Sequence, residues 1–249
     1  MTKLSRIAII PARSGSKGIL NKNLQKIGGR TLVEWAINVA IESNCFDEIC
    51  LSTDSIEIRE LGLKKNVSVP FLRPNNLSGD NVRQKEVIDH CLSYYRGKGI
   101  NFDIVTLLQP TSPFRLSDDL RAAHMEFEKS KYQTLVSVME ITEFDDTSSY
   151  YEYPDMVKSN SSFKNLIPIL ESTEENSAGT LRQEFRKKFW RNGAIYIFRS
   201  KNLSENNHLI LPPILGYKMP WQRSVNIDNE EDLELAKLIH DTELNINIF

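Results

Sequence analysis

The sequence predicts an α/β fold in which a mostly parallel β-sheet lies between two layers of helices. Short apolar runs alternate with amphipathic stretches through the first half of the chain, a pattern typical of parallel sheets with helices on both faces. Polar clusters directly follow three of the predicted strands, at the sheet edge where such folds bind their ligands. A ligand site is therefore expected at that edge.

The predicted elements follow in order along the chain. A buried strand over residues 6–11 is followed by a polar loop over 12–23. Thr31 and Glu34 have the spacing of a capping box, which predicts the start of an amphipathic helix. Asp54 or Ser55 is expected to cap the next helix. Further strands are predicted at 49–53, 67–72, 104–108, 134–141, 192–198 and 225–227, and further helices at 82–95, 117–129 and 230–240, the last capped by Asn229.

A single domain is predicted over residues 1–249, with an insertion at residues 143–188. The inserted segment is polar, weakly periodic and contains Tyr150, Tyr151 and Tyr153. We interpret it as a lid or an oligomer contact built on short strands, because tyrosine is enriched at protein interfaces.

Composition excludes several classes of protein. Lys and Arg total 31 against 33 Asp and Glu, for a net charge of −2, so the broad basic surface of a nucleic-acid binder is absent. No apolar run approaches the ~20 residues of a membrane-spanning helix. Three cysteines without a C-x-x-C spacing predict reduced thiols in a cytoplasmic protein.

The loop after the first strand predicts an anion site. Gly15 and Gly18 allow a sharp turn and a close approach to a ligand, and exposed backbone N–H groups can cradle an anion. Arg13, Lys17 and Lys22 add positive charge that suits a triphosphate. The glycine spacing fits neither a P-loop nor a dinucleotide fingerprint, which disfavours a P-loop ATPase. An ordinary basic turn is the alternative.

Several motifs in the chain resemble those of one enzyme family. The loop contains Ala12-Arg13-x-Gly15-Ser16-Lys17-Gly18-x-x-x-Lys22-Asn23. Further matches are Ser52-Thr53-Asp54, Leu72-Arg73-Pro74, Leu108-Gln109-Pro110-Thr111-Ser112-Pro113-x-Arg115, Arg182-Gln183, Asn192-Gly193-Ala194-Ile195-Tyr196 and Ile227-Asp228-x-x-x-Asp232-Leu233. In this order they resemble the motifs of acylneuraminate cytidylyltransferases, also called CMP-sialic acid synthetases, over most of the chain.

This resemblance implies a Rossmann-like, three-layer nucleotidyltransferase fold with a small dimerisation insertion. It implies transfer of CMP from CTP to the anomeric hydroxyl of an acidic nine-carbon 2-keto sugar, with release of pyrophosphate. The sugar would be of the sialic, legionaminic or pseudaminic acid type. The resemblance further implies Mg²⁺ as the cofactor, a homodimer and a cytoplasmic location, with no nucleic-acid or membrane partner.

The resemblance also assigns roles to individual residues. Arg13, Lys17 and Lys22 would be catalytic, and the nucleotide would contact Ala12, Arg13, Gly15, Ser16, Lys17, Asn23 and Arg73. The sugar would contact Gln109, Thr111, Arg182, Gln183 and Asn192. An amide can donate to and accept from sugar hydroxyls, and a guanidinium suits the sugar carboxylate. Asp228 and Asn226 would bind the metal through oxygen.

Departures from the family pattern leave alternatives open. Asn226 stands where the family has the first of two aspartates, so one or two metals are possible. Residues 19–21 lack a frequent proline, and residues 81–85 replace small hydroxyl residues, which leaves the exact sugar open. One alternative is a deoxyoctulosonate cytidylyltransferase, although its Pro-Gly-Lys loop is absent. The other is a non-catalytic nucleotide-binding module of the same fold.

Overall fold

The computed structural model describes residues 4–141, 149–152, 163–168, 188–205 and 208–246. The strands are β1 (Arg6–Pro11), β2 (Lys26–Ile27), β3 (Arg30–Thr31), β4 (Glu48–Ser52), β5 (Ile104–Leu107), β6 (Thr134–Ile141), β7 (Ser149–Glu152), β8 (Phe163–Pro168), β9 (Lys188–Arg199) and β10 (Ile214–Lys218). The helices are α1 (Leu32–Ser43), α2 (Ile56–Lys64), α3 (Gln84–Gly97), α4 (Ser117–Lys129), α5 (Ser200–Glu205) and α6 (Glu230–Ile246), with 3₁₀ turns at Lys22–Leu24, Asn75–Leu77 and Trp221–Arg223.

The central sheet has eight strands in the order β4-β1-β5-β9-β6-β10-β8-β7. Strands β4, β1 and β5 run parallel, as do β6 and β10, while β9 is antiparallel to both β5 and β6. Five of the six central strands therefore point the same way, which confirms the prediction of a mostly parallel sheet. Their carboxyl ends meet at one edge.

The predicted short strands in residues 143–188 are present as β7 and β8. They join the sheet beside β10 by antiparallel pairing, and β7 also pairs with the first residues of β9. Most of the remaining segment lies outside the described residues. The assignment of the whole chain to one domain stays a prediction.

Both faces of the sheet are buried, which explains the continuous apolar run of β1. Ile7 and Ile9 pack on one face with α3, whereas Ala8 and Ile10 pack on the other with α1 and α4. Strands buried on both faces have unbroken apolar sequences rather than alternating ones. All three cysteines are free and buried. No helix in the described part of the chain is long and apolar enough to cross a bilayer.

The predicted helix starts are confirmed in their capping contacts. The Thr31 hydroxyl accepts a hydrogen bond from the Glu34 amide at 3.3 Å, and the Glu34 carboxylate accepts one from the Thr31 amide at 2.9 Å. Of the two candidates for capping α2, Ser55 makes the contact, accepting from the Ile58 amide. At α6, the Asn229 side chain accepts from the Asp232 amide at 2.8 Å.

Two predicted strands are wrong. Residues 67–72 form only isolated bridges at Ser68 and Leu72, because Pro70 between them has no backbone N–H to continue the ladder. Residues 225–227 are irregular, and the Ile227 amide instead donates to the carbonyl of Thr111 at 2.8 Å. The last strand along the described chain is β10 (Ile214–Lys218), which the sequence analysis does not predict.

Candidate active site

A cleft of about 280 Å³ opens at the carboxyl edge of the sheet. Its walls come from four segments that follow β1, β4, β5 and β10 in the chain. The structure brings together in this cleft the sequence-predicted residues Arg13, Ser16, Lys22, Asn23, Arg73, Gln109, Thr111, Asn226 and Asp228.

Hydrogen bonds from neighbouring segments fix the path of the loop after β1. The Ala12 amide donates to the carbonyl of Ser52 at 2.9 Å, and the Ala12 side chain is buried in the core. Ser14 donates from both its amide and its hydroxyl to the Asp54 carboxylate, at 2.8 and 2.7 Å. The Asn23 side-chain amide donates to the carbonyl of Arg13 at 2.8 Å. Asp54 therefore holds the loop rather than capping α2.

The two glycines of the loop differ in their surroundings. A Cβ atom at Gly18 would overlap the backbone carbonyl oxygen of Asp228, so only glycine lets the loop approach this segment. A Cβ atom at Gly15 would meet nothing within 4 Å. Within the described protein, Gly15 leaves open space in which a ligand can approach the backbone.

The cations of the loop are paired with two carboxylates. Arg13 Nη2 lies 2.5 Å from Asp80 Oδ1, and Lys17 Nζ lies 3.1 Å from Asp80 Oδ2. Hydrogen bonds from Lys17 and Arg13 lower the pKa of Asp80. Lys22 Nζ donates to the carbonyl of Ile227 at 2.9 Å and lies 3.3 Å from Asp228 Oδ1. With only 14% of its side chain exposed, Lys22 presents an ammonium of fixed position.

Arg73 is a buried cation with an unused hydrogen-bond donor. The residue is 4% exposed, and its Nε donates to the Ser78 hydroxyl at 3.3 Å. Its Nη2 lies 3.8 Å from Asp54 Oδ1 and has no hydrogen-bond partner among the described residues. Burial lowers the pKa of Arg73, and Asp54 opposes that shift. Because an unsatisfied buried donor is costly, this atom marks a place where a ligand can supply an acceptor.

Arg115 holds the loop after β5. It lies buried and donates to the carbonyls of Gln109 and Ser112, the latter at 2.6 and 3.1 Å from its two nitrogens. Burial lowers the pKa of Arg115 to about 9, against the influence of Asp119. The sequence motif contained Arg115, but nothing in its spacing identified the carbonyls it would meet.

A hydrogen-bond network links this loop to the segment before α6. Thr111 and Ser112 donate to Asn226 Oδ1 at 2.8 and 3.2 Å, and Asn226 Nδ2 donates to Asp228 Oδ2 at 2.6 Å. Gly193, with φ +79°, leaves room for this cluster, because a Cβ there would lie 3.3 Å from Asn226 Oδ1. Asn226 therefore orients Asp228 in the cleft.

The residues present fit a magnesium site in which substrate phosphates complete the coordination of the ion. Mg²⁺ is usually held by one or two carboxylates together with substrate phosphates. Asp228 supplies one exposed carboxylate. The side-chain oxygen of Asn226 already accepts hydrogen bonds from two hydroxyl groups. No cluster of three His, Cys, Asp or Glu residues suited to a metal occurs in the described ranges, so ligand oxygens would have to complete the coordination.

Of the predicted sugar contacts, Asn192 does not line the cleft, and two others fall outside the described part of the chain. Arg182 and Gln183 lie outside the described residues. Asn192 is buried, with its amide bonded to the hydroxyls of Ser224 and Ser137 at 2.8 and 2.6 Å. Its backbone carbonyl accepts a hydrogen bond from Ser112 at 3.2 Å, so Asn192 reaches the cleft only through that residue.

Comparison with known proteins finds relatives along nearly the whole chain. The family profile described as Cytidylyltransferase matches residues 7–246. The pseudaminic acid cytidylyltransferase of Campylobacter jejuni is 29% identical, over 95% of this chain and 97% of its own. The CMP-N,N'-diacetyllegionaminic acid synthase of Legionella pneumophila is 31% identical, over 93% and 94%.

A solved structure shares the fold at lower sequence identity. The CMP:2-keto-3-deoxy-manno-octonic acid synthetase complexed with CTP superposes with a TM-score of 0.69 at 14% identity, covering 96% of this chain and 99% of that one. This likeness confirms a Rossmann-like nucleotidyltransferase fold.

Proposed function

Because the chain belongs to the cytidylyltransferase family, we propose that it transfers CMP from CTP to the anomeric hydroxyl of an acidic nine-carbon 2-keto sugar, releasing pyrophosphate. The observation that carries this proposal is the juxtaposition, in one cleft, of the fixed Lys22–Asp228 pair with the buried, unused donor of Arg73. Relatives named for pseudaminic and legionaminic acid support the class of sugar.

The nucleotide binds between the loop after β1 and the segment before α3. Arg13, Ser16 and Lys17 hold the phosphates, and Gly15 lets them approach the backbone. Arg73 Nη2, which has no acceptor in the described residues, donates to the edge of the cytosine. Asn23 supports this binding by holding the carbonyl of Arg13.

The chemistry requires positioning and neutralisation of charge more than covalent catalysis. The sugar hydroxyl attacks the α-phosphorus in line, and pyrophosphate leaves on the opposite side. Lys22, held by Ile227 and Asp228, stabilises the negative charge that develops during this displacement. Mg²⁺ held by Asp228, with the Asn226 carbonyl oxygen as a weaker candidate ligand, would neutralise further phosphate charge.

The sugar lies against the loop after β5. Gln109 and Thr111 supply hydrogen-bonding groups in the cleft, and Arg115 holds the loop that carries them. Arg182 is proposed to contact the sugar carboxylate and Gln183 another part of the sugar, while Asn192 supports the site through Ser112.

Turnover of nonulosonic acids tests the proposal. Purified protein with CTP and Mg²⁺ should release pyrophosphate with pseudaminic, legionaminic or sialic acid, and removal of Mg²⁺ by a chelator should stop release. Deoxyoctulosonate serves as the control acid, since the sequence relatives do not favour it. Release with that acid alone would contradict the proposed substrate class, and CTP binding without turnover of any acid would identify a non-catalytic module.

We also infer a cytoplasmic homodimer in which residues 143–188 contact the partner subunit. The free, buried thiols support a reducing compartment. Light scattering should give twice the chain mass of 28.6 kDa, and a monomeric mass would contradict the dimer.

A further inference from the structure

We propose that Asp80 is a built-in counter-ion that occupies the phosphate subsite of the cleft until an oligophosphate displaces it. This inference rests on the proposed function for its substrate, CTP, but its test does not require turnover. Asp80 would thereby set the affinity of the enzyme for its nucleotide.

The first argument is geometric. The Asp80 carboxylate bridges two cations, with one oxygen 2.5 Å from Arg13 and the other 3.1 Å from Lys17. Both cations lie on the loop after β1 that is proposed to hold phosphates. A carboxylate between an arginine and a lysine makes the same charge-assisted contacts that a phosphate group would make there.

The second argument is the balance of charge in the cleft. Lys22 already pairs with Asp228, and Arg73 faces Asp54. If Asp80 kept both ion pairs, incoming phosphate oxygens would lie close to its carboxylate, and Arg13 and Lys17 would already be paired with it. Because like charges at close range repel, binding of an oligophosphate favours release of Asp80 from both cations.

The third argument concerns the ease of release. Asp80 lies in the exposed connection between the 3₁₀ turn at Asn75–Leu77 and helix α3, next to Gly79. Its two ion pairs are reached by solvent, with 84% of the Lys17 side chain and 31% of the Arg13 side chain exposed. Exposed ion pairs contribute little to stability, so the contact can open without disturbing the fold. Hydrogen bonds from Lys17 and Arg13 lower the pKa of Asp80, which keeps it a carboxylate at neutral pH.

Calorimetric titration with tripolyphosphate and with CTP, without Mg²⁺, tests the proposal in Asp80→Asn and Asp80→Ala. Removing the competing charge should lower the Kd of both ligands about two- to fivefold, the contribution expected of an exposed ion pair. The gain should shrink in ~1 M salt, where exposed charges are screened. Cytidine, which carries no phosphate, should bind the variants and the wild type equally.

Asp89→Asn is the matched control. Asp89 also forms an ion pair, with Lys85 at 2.5 Å on α3; this pair is half-buried and does not contact the loop cations. This variant loses the same charge and should bind tripolyphosphate like the wild type. Unchanged or weaker tripolyphosphate binding by both Asp80 variants, with an unaltered melting temperature, would overturn the counter-ion role. Failure of turnover with every sugar would instead count against the proposed function and leave the tripolyphosphate result valid.

Discussion

Lys22 is the residue whose position argues most directly for catalysis. Its ammonium is held by the Ile227 carbonyl and the Asp228 carboxylate, so no reorganisation is needed when phosphate charge develops. We expect Lys22→Met to lower kcat about 10²–10³-fold, as loss of a preorganised charge does, with a smaller change in KM for CTP. Lys26→Met, an exposed substitution on β2, should retain near-normal steady-state rates; equal losses in both would argue for a general charge effect.

Asn226 gives the proposed metal site one carboxylate fewer than an aspartate at this position would. Its Nδ2 lies 2.6 Å from Asp228 Oδ2, where an aspartate would place a second carboxylate and require a cation between the two. Asn226→Asp should therefore melt at a lower temperature without Mg²⁺, recover when Mg²⁺ is added, and bind Mg²⁺ about tenfold more tightly.

Thermal unfolding with and without Mg²⁺, together with a Mg²⁺ titration, measures both effects of Asn226→Asp. Asn229→Asp adds the same charge one residue beyond Asp228, at the cap of α6, and should leave Mg²⁺ affinity much less changed. Equal responses of the two variants would contradict a specific role for position 226.

At the level of elements, the contact between the loop after β1 and the segment before α6 depends on Gly18. A methyl group there would overlap the Asp228 carbonyl oxygen, which belongs to rigid backbone. Gly18→Ala should reduce kcat about 10²-fold, because a displacement of ~1 Å at a catalytic centre has such an effect. Its melting temperature should change little, since the loop is exposed. Gly97→Ala is the control variant for the kcat measurement, because a Cβ at Gly97 meets nothing within 4 Å.

The packing of α4 on β5 makes stability depend on pH. His124 is buried, lies 3.0 Å from the Thr106 hydroxyl and packs against Phe46. Burial lowers its pKa, against the influence of Glu128. In the folded state His124 therefore takes up a proton only at a lower pH than it does in the unfolded chain, where its pKa is ~6.5. Stability should fall as the pH drops from 6.5 towards 5, by at most about 1.4 kcal/mol per pH unit.

Urea unfolding between pH 7 and pH 5 measures this dependence. His124→Gln should flatten it, whereas replacement of the exposed His208 by Gln should not. The pKa of Glu128 is lowered chiefly by His124, whose Nδ1 lies 3.6 Å from Glu128 Oε1. Glu128 therefore loses its contribution to stability only below its ordinary pKa range, outside this window. An identical slope in His124→Gln and wild type would show that other groups are responsible.

The elements whose signals are local were the predictable ones. β1, α4 and the capping box at Thr31 have the bounds or contacts that their sequences predict. The strand at Ile214–Lys218 has no clear local signal, because two prolines precede it and Gly216 lies within it, residues more typical of a turn. Residues 225–227 are predicted as a strand, but the Ile227 amide bonds to the carbonyl of Thr111, and no local sequence pattern encodes that partner.

For the molecule as a whole, the fold class predicts where the site lies on the sheet. It does not predict which charged residues of the site pair with one another. The carboxyl edge was predictable from the alternation of strands and helices, and the cleft residues Lys22, Arg73 and Asp228 were predictable from motif resemblance. The partners Asp80 and Arg115 were not, because each depends on how distant segments meet once the sheet has formed. The dimer and the roles of Arg182 and Gln183 stay predictions.

The pairing of Lys22 with Asp228 joins residues 206 positions apart in the chain. At a synthesis rate of about 5–20 residues per second, roughly 10–40 s separate their emergence from the ribosome. Throughout that interval the cationic loop is present without the carboxylate that orients its lysine. A nascent chain halted before residue 228 therefore has most of the strands of its sheet but lacks the carboxylate that pairs with Lys22.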